Sequence, residues 1–387
     1  MKVVSWHPVL TDHQSYTLDS LQQKENCFLK VYVASVLNKE RQAQGWDNQH
    51  ASSLSPELIP KKRWFKFAIQ RLRENRDAIH LFDSPFERPK LIVVLFLAVA
   101  LGHQVYLISE PYSPISAGYQ SDKQQYINWL KARLRPLLYG IYGMLLRYRI
   151  NGVLAISCLA IAQYQHMGIA REIIFPFGYF VPCQKSACAV SSSAVSSGKI
   201  DLKIVFIGNL ISRKGLDILI SAVRNLNNNG LSLSLDVYGP GNPNQYSFDQ
   251  SAVRYCGLIP FGYSQAVISE YDILVLPSRH DGWGVVVNEA LMAGVPVICS
   301  DQVGASAVVK KWQCGSIFAS ESVSDLVDKL EKLSTNPELL NNMCLAAGKA
   351  GAALNPKIAG QYMNKIFGQD SVKDGIQKRN ECPWYEC

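Results

Sequence analysis

The sequence predicts an α/β protein of two doubly wound domains, each a parallel sheet with helices on both faces, with a cleft between them. Three observations carry that prediction. Short apolar runs alternate with longer helical stretches, and this series occurs twice. A stretch rich in serine and alanine, residues 183–200, separates the two series and reads as a surface linker. The chain has 387 residues, is 48% hydrophobic and 18% charged, and so can fill two cores of ordinary size. In sheets of this kind ligands bind at the carboxyl ends of the strands.

The first series opens with residues 2–6, read as a buried strand. A loop over 7–14 leads into a helix from about Ser15. Residues 27–37 read as the next strand and 38–58 as a polar loop. Residues 60–73 read as a basic amphipathic helix. A strand at 78–82 ends in Asp83-Ser84-Pro85. The helix 87–101 is apolar nearly all round, so burial on every side is expected. A strand at 104–109 ends in Glu110-Pro111. Residues 123–149 are helical, with a break near Pro136. A strand at 152–156, a helix at 159–167 and a short strand at 173–175 run into Pro176-Phe177-Gly178.

The second series starts with a strand at 203–207, a loop over 208–215 and a helix to about Asn227. A strand at 233–238 is followed by Gly239-Pro240-Gly241. Further strands lie at 253–258, 273–276 and 296–300, with helices in the gaps. Helices at 325–333, 337–350 and 356–367 close the chain.

Charge is unevenly placed. The formal net charge is +8; residues 1–180 hold 21 Lys and Arg against 13 Asp and Glu, and the remainder holds 18 of each. A one-sided basic half points to an anionic partner, and no basic run is dense enough to favour nucleic acid. Within residues 60–76, Lys61, Lys62, Arg63, Lys66, Arg71, Arg73 and Arg76 interleave with Trp64, Phe65 and Phe67. Basic and aromatic residues on one helix suit peripheral contact with an anionic membrane. Lys131, Arg133, Arg135, Arg147 and Arg149 form a second basic stretch. The longest apolar run, 91–101, is too short to span a bilayer. Residues 1–6 carry no signal-peptide core. The ten cysteines show no C-x-x-C spacing and read as free thiols of a reducing cytosol, with Cys382 and Cys387 the one candidate pair. The localisation expected is cytoplasmic.

Residues 278–291 organise the second half. The strand 273–276 runs into Asp281-Gly282-Trp283-Gly284, and a helix begins near Val286. Asp281 lies in the loop and Glu289, eight positions on, about one turn into the helix. Two such acids can accept hydrogen bonds from sugar and ribose hydroxyls. Glycine loops and a helix N-terminus offer backbone N–H groups to an anion.

Three motifs in order resemble glycosyltransferase family 4, the retaining group 1 enzymes of the GT-B fold. Gly208 through Lys214-Gly215 resembles the family's G-R-x(n)-K-G loop. Tyr238-Gly239-Pro240-Gly241 resembles its G-x-G-P turn. Pro277-Ser278 through Asp281-Gly282-Trp283-Gly284 to Glu289-Ala290 resembles its P-S-x-x-E-G-F-G-x(4)-E-A block. The resemblance covers about residues 200–310 and reaches the first half only by layout.

It implies two Rossmann-like domains: an acceptor domain over 1–182, and a nucleotide-sugar domain over 201–355 beyond the 183–200 linker. The helix and tail over 356–387 can cross back to the first domain. It also implies transfer of a sugar from a nucleoside-diphosphate sugar to a glycan or lipid-linked acceptor, as in surface polysaccharide assembly. Lys214, Asp281 and Glu110 are the catalytic candidates. Gly208, Asn209, Arg213, Lys214, Asp281, Gly282, Trp283, Gly284 and Glu289 are the donor-side candidates, and His13 faces the acceptor. No cofactor or metal is expected.

The chain departs from the pattern in three places. Asp281 stands for the first glutamate, Asn209 for the usual arginine, and Glu110 near the family's histidine. These departures leave a GT-B-shaped binding subunit without turnover open as an alternative, and a soluble acceptor as another. A Rossmann dehydrogenase is disfavoured, because neither half carries G-x-G-x-x-G after its first strand.

Overall fold

The structure is a computed structural model and describes residues 1–23, 27–35, 54–113, 125–184, 201–249, 251–368 and 381–387. The expected linker at 183–200 and the polar loop at 38–58 fall largely outside the described residues.

The N-terminal half holds β1 (Lys2–His7), α1 (Asp12–Gln22), β2 (Phe28–Val33), β3 (Glu57–Leu58), α2 (Trp64–Glu74), β4 (Ile79–Asp83), α3 (Pro89–Ala100), β5 (Gln104–Ser109), α4 (Gln125–Leu146), β6 (Gly152–Ile156), α5 (Cys158–His166) and β7 (Ile174–Phe177). Its seven strands lie in the order β3-β2-β1-β4-β5-β6-β7, all parallel.

The C-terminal half holds β8 (Leu202–Ile207), α6 (Leu216–Asn228), β9 (Leu233–Tyr238), β10 (Val253–Gly257), α7 (Ser264–Ile268), β11 (Ile273–Leu276), α8 (Val285–Met292), β12 (Val297–Ser300), α9 (Ser306–Trp312), β13 (Gly315–Phe318), α10 (Val323–Ser334), α11 (Pro337–Ala353) and α12 (Pro356–Gly368). Its six strands run β10-β9-β8-β11-β12-β13, again all parallel. The reversal of strand order beside β1 and beside β8 opens a crevice at the carboxyl ends of each sheet.

Local sequence explains most boundaries. Thr11 starts α1 earlier than the periodicity predicts, through a capping box with Gln14. Helix α4 continues through Pro136 where a break is expected; the proline removes one backbone donor, and the flanking turns carry on. Helix α3 buries Leu91, Val94, Leu95 and Ala98 but leaves Val93 exposed. Covered on one side only, it is not the all-round buried helix that its composition predicts. Helix α2 turns Ala68 and Leu72 into the core and packs Phe67 on Tyr32, leaving Phe65 outward. β3 and β13 are strands that the pattern missed.

One continuous apolar core joins the N-terminal sheet, α12, the tail and the inner face of the C-terminal sheet. A second core fills the other face of that sheet, around Leu202, Leu219 and Leu330. Helix α12 lies against α1, where Gly360 approaches Ser20 so closely that a Cβ would collide. Tail residues Trp384 and Tyr385 are fully buried. The Tyr385 hydroxyl donates to the Phe177 carbonyl at 2.5 Å and accepts from the Ser157 amide at 3.1 Å. Trp384 Nε1 donates to the Ala353 carbonyl at 2.8 Å, and Trp312 Nε1 donates to the Trp384 carbonyl at 3.1 Å.

The cysteine expectation is corrected here. Cys158, at the start of α5, is bonded to Cys387, and Cys382 is a free thiol. The partners are 229 residues apart, and only the return of the tail to β6 and β7 brings them together.

Candidate active site

A cavity of about 430 Å³ lies between the two sheets, at the carboxyl ends of their strands. Strand β8 delivers Gly208 and Asn209, and the following turn delivers Lys214. Gly215 ends that turn with φ +68°, and a Cβ there would strike the Pro277 carbonyl, so the Lys-Gly pair is fixed by packing against the end of β11. Arg279 holds the same turn from the far side. It donates to Asp217 at 2.7 and 2.9 Å, to Glu321 at 2.7 Å and to the Ser212 carbonyl.

The central contact is an ion pair. Lys214 Nζ lies 2.5 Å from Asp281 Oδ2, with both side chains largely buried. Burial alone would raise the Asp281 pKa, but Lys214 and Arg213 outweigh it and hold the carboxyl below its ordinary value. Arg213 itself does not line the cavity; its Nη1 donates to the His280 carbonyl at 2.9 Å.

Glu289, on α8, faces the cavity and accepts from Ser264 Oγ at 2.7 Å. Burial pushes its pKa up to about 7, against the opposing Ser264 bond. Leu258, Ile259, Phe261 and Gly262 form an apolar rim over this end. Gly284 caps α8 with φ +89°, so the first turn, Val285 and Val286, opens on the cavity.

Trp283 is turned into the interface. Its ring packs on Gly178 so tightly that a Cβ there would clash, and it lies 5.8 Å from the Tyr385 ring. Trp283 Nε1 donates to Asn288 Oδ1 at 2.9 Å, and Asn288 Nδ2 donates to the Tyr179 carbonyl at 2.7 Å. This chain of bonds joins the two halves behind the cavity.

The N-terminal wall supplies Glu110, Asp12, His13, Tyr16 and Tyr179. Glu110 follows β5 and meets Gly282 across the cleft; a Cβ at Gly282 would collide with its carboxylate. Burial first, then the negative Asp281, raises the Glu110 pKa to about 7, while a hydrogen bond from Tyr179 opposes the rise. The His13 ring lies 4.2 Å from that of Tyr179, and its Nε2 is 3.0 Å from Thr11 Oγ1. Thus nearly all the candidates from sequence gather in one cleft. Ser264 and Tyr179 were missed, because each acts on a named carboxylate from a segment without a motif. Among the described residues no group of three or more His, Cys, Asp or Glu side chains is placed to hold a metal ion.

Comparison with known proteins bears on the C-terminal wall of this site. Residues 194–350 match the family model of glycosyl transferases group 1. This segment is similar to group 1 glycosyltransferases. Over 158 residues it is 23% identical to an alpha-D-kanosaminyltransferase of Streptomyces kanamyceticus, covering 39% of this chain and 41% of that protein. The chain thus spans about two fifths of the length of that curated relative.

Two solved structures resemble the whole chain. Anabaena Alr3699/HepE in complex with UDP has a TM-score of 0.67 at 12% identity, covering 96% of this chain and 100% of that one. The lipopolysaccharide outer core galactosyltransferase WaaB has a TM-score of 0.63 at 14% identity, covering 95% and 99%. These likenesses establish the fold as GT-B.

Proposed function

We propose that the chain is a retaining glycosyltransferase that moves a sugar from a nucleoside-diphosphate sugar to a glycan or lipid-linked acceptor in cell-surface polysaccharide assembly. The observation that carries this reading is one cleft in which Lys214, Asp281, Glu289 and the first turn of α8 face Glu110 and His13. HepE in complex with UDP and WaaB, a lipopolysaccharide outer core galactosyltransferase, support the donor and acceptor classes.

In this scheme Glu289 accepts hydrogen bonds from the ribose hydroxyls, and the base lies along Leu258 and Ile259. Asp281 reads a hydroxyl of the transferred sugar. Lys214 has three N–H donors, so it can hold Asp281 and a diphosphate oxygen together. The bond from the anomeric carbon to the diphosphate oxygen breaks while the acceptor oxygen bonds to that carbon on the same face. The acceptor proton passes to the departing phosphate oxygen. Lys214 and the α8 amides meet the charge that develops there, without a metal ion in the scheme. Glu110, partly protonated near neutral pH, donates to a sugar or acceptor hydroxyl. The acceptor is carried at the cytosolic face of a membrane, with peripheral contact through the basic N-terminal half.

A thermal-shift screen of nucleotide sugars, followed by transfer and hydrolysis assays with the best binder, tests the reading. A stabilising nucleotide sugar that is turned over supports it. Binding without any turnover favours a GT-B-shaped scaffold, and no binding at all removes the donor site.

A further inference from the structure

We propose that the outer face of α4 is a docking surface for an anionic phospholipid bilayer, and that this helix, not the 60–76 segment, seats the protein on the membrane. The inference rests on the membrane-carried acceptor proposed above for its meaning, though the binding itself is measurable without turnover.

Helix α4 turns Gly143 and Leu146 inward, Gly143 packing directly on the Met167 backbone. Its opposite face is apolar and open. Nine of the eighteen exposed large hydrophobic side chains among the described residues lie between Trp129 and Tyr148. Leu130, Leu134, Leu137, Ile141, Leu145 and Tyr148 recur at helical spacing along one stripe. Leu137 is 67% exposed, Met144 60% and Tyr148 85%. A contiguous stripe of this kind is uncommon on a freely soluble surface.

Charge chooses the occupant. Residues 125–149 contain Lys131, Arg133, Arg135, Arg147 and Arg149 and no acid. The cations flank the stripe towards both ends of the helix. Arg133 lies over the Trp129 ring and Arg147 over that of Tyr148, at 5.5 and 4.7 Å. Apolar side chains between snorkelling cations suit a helix lying in the headgroup layer. Two copies of this face would bring like charges together, which disfavours self-association. No helix among the described residues is long and apolar enough to cross a membrane, which leaves α4 in the plane of the surface.

By contrast, α2 has spent its apolar side on the core, and Arg71 is engaged by Glu57 and Glu74. The surface also adjoins the cleft. Arg135 donates to the Ser113 carbonyl, three residues beyond Glu110. A lipid-linked acceptor held at α4 would therefore approach the Glu110 wall.

The test is co-sedimentation of the full chain with vesicles of phosphatidylcholine alone or mixed with phosphatidylglycerol. The wild type is expected to bind the mixed vesicles and to release at high salt. A variant with Leu134→Ser, Leu137→Ser, Ile141→Ser and Met144→Ser is expected to lose about tenfold in bound fraction, with its circular dichroism unchanged. A second variant, with Arg133→Glu, Arg147→Glu and Arg149→Glu, probes the same face if the first misfolds, and it too should lose binding. Serine at Lys61, Lys62, Arg63 and Lys66 should cost clearly less. Three results would overturn the inference: binding untouched by the α4 changes, equal binding to neutral vesicles, or a dimer in solution that these changes dissolve. Vesicle binding with no sugar transfer would instead count against the proposed function and leave the surface assigned.

Discussion

At the scale of single residues, the Lys214–Asp281 pair sets the electrostatics of the cleft. Each side chain is mostly buried and each is the other's charge partner. Removing one partner leaves a buried charge uncompensated, which costs far more than the pair contributes. Lys214→Ala is therefore expected to lower stability by about 3 kcal/mol as well as abolish transfer. Adding Asp281→Asn should recover most of the stability and none of the activity. Urea unfolding of the two variants checks this, and equal stability in both would show the pair to be independent.

Glu289 gives a pH prediction. Burial raises its pKa to about 7, so the carboxylate that the proposed scheme sets against the ribose hydroxyls gains population as pH rises through that value. Nucleotide-sugar affinity should rise between about pH 6 and 8, and Glu289→Gln should flatten the profile. For stability the sign is the reverse. A carboxyl with a raised native pKa binds its proton more tightly when folded, so its contribution is complete below the unfolded value and fades as pH climbs towards 7. Calorimetric titration of donor affinity across this range separates the two effects.

At the scale of elements, the strands were legible because parallel strands buried on both faces read as unbroken apolar runs. β8 and β11 are fixed by such runs and β9 by the alternation of Leu233, Leu235 and Val237, while Gly215 and Gly239 in the turns after β8 and β9 lack the Cβ that would strike a neighbouring backbone carbonyl. The donor-side candidates were placed for the same reason: each follows β8 or β11, in the turn or helix after it. β3 is two residues long, and β13 starts at a glycine, so neither leaves a pattern. The exposed stripe of α4 has the same period as a buried one, and sequence alone does not say which way a helix faces.

Of the tail, the sequence anticipates a crossing back to the first domain and none of the contacts. The tail has no periodicity, and its partners Ala155, Ser157 and Phe177 lie more than 200 residues away. Its contribution is nonetheless measurable. Tyr385→Phe leaves the ring and removes the hydroxyl, so the Ser157 amide and Phe177 carbonyl each lose one partner but stay bonded to each other at 3.1 Å. Such a loss costs about 0.5–1.5 kcal/mol. A shift of the urea midpoint without a change of slope is expected.

At the scale of the molecule, the two sheets do not have separate interiors. The larger core passes from β1 and β4 through α12 and Trp384 to Trp283, Val287 and β12. Two doubly wound domains with independent cores would unfold independently, as domains joined by a modest polar interface usually do. Here the Trp283–Asn288–Tyr179 bonds, α12 on α1 and the tail between β6, β7 and α9 tie the N-terminal half to the inner face of the C-terminal half. Only the outer layer, with its own core around Leu219 and Leu330, is free of that connection. The wild type should therefore melt in one cooperative transition by calorimetry, with calorimetric and van't Hoff enthalpies close to each other. Deleting residues 381–387 removes Trp384, Tyr385 and the Cys158 disulfide together while leaving both sheets intact. The transition should then broaden or split, the C-terminal half melting separately from the N-terminal half, and nucleotide sugar should shift the later-melting component if it is the donor half. A truncated chain that still melts as one sharp transition would mean that α12 and the Trp283 contacts couple the halves without help from the tail.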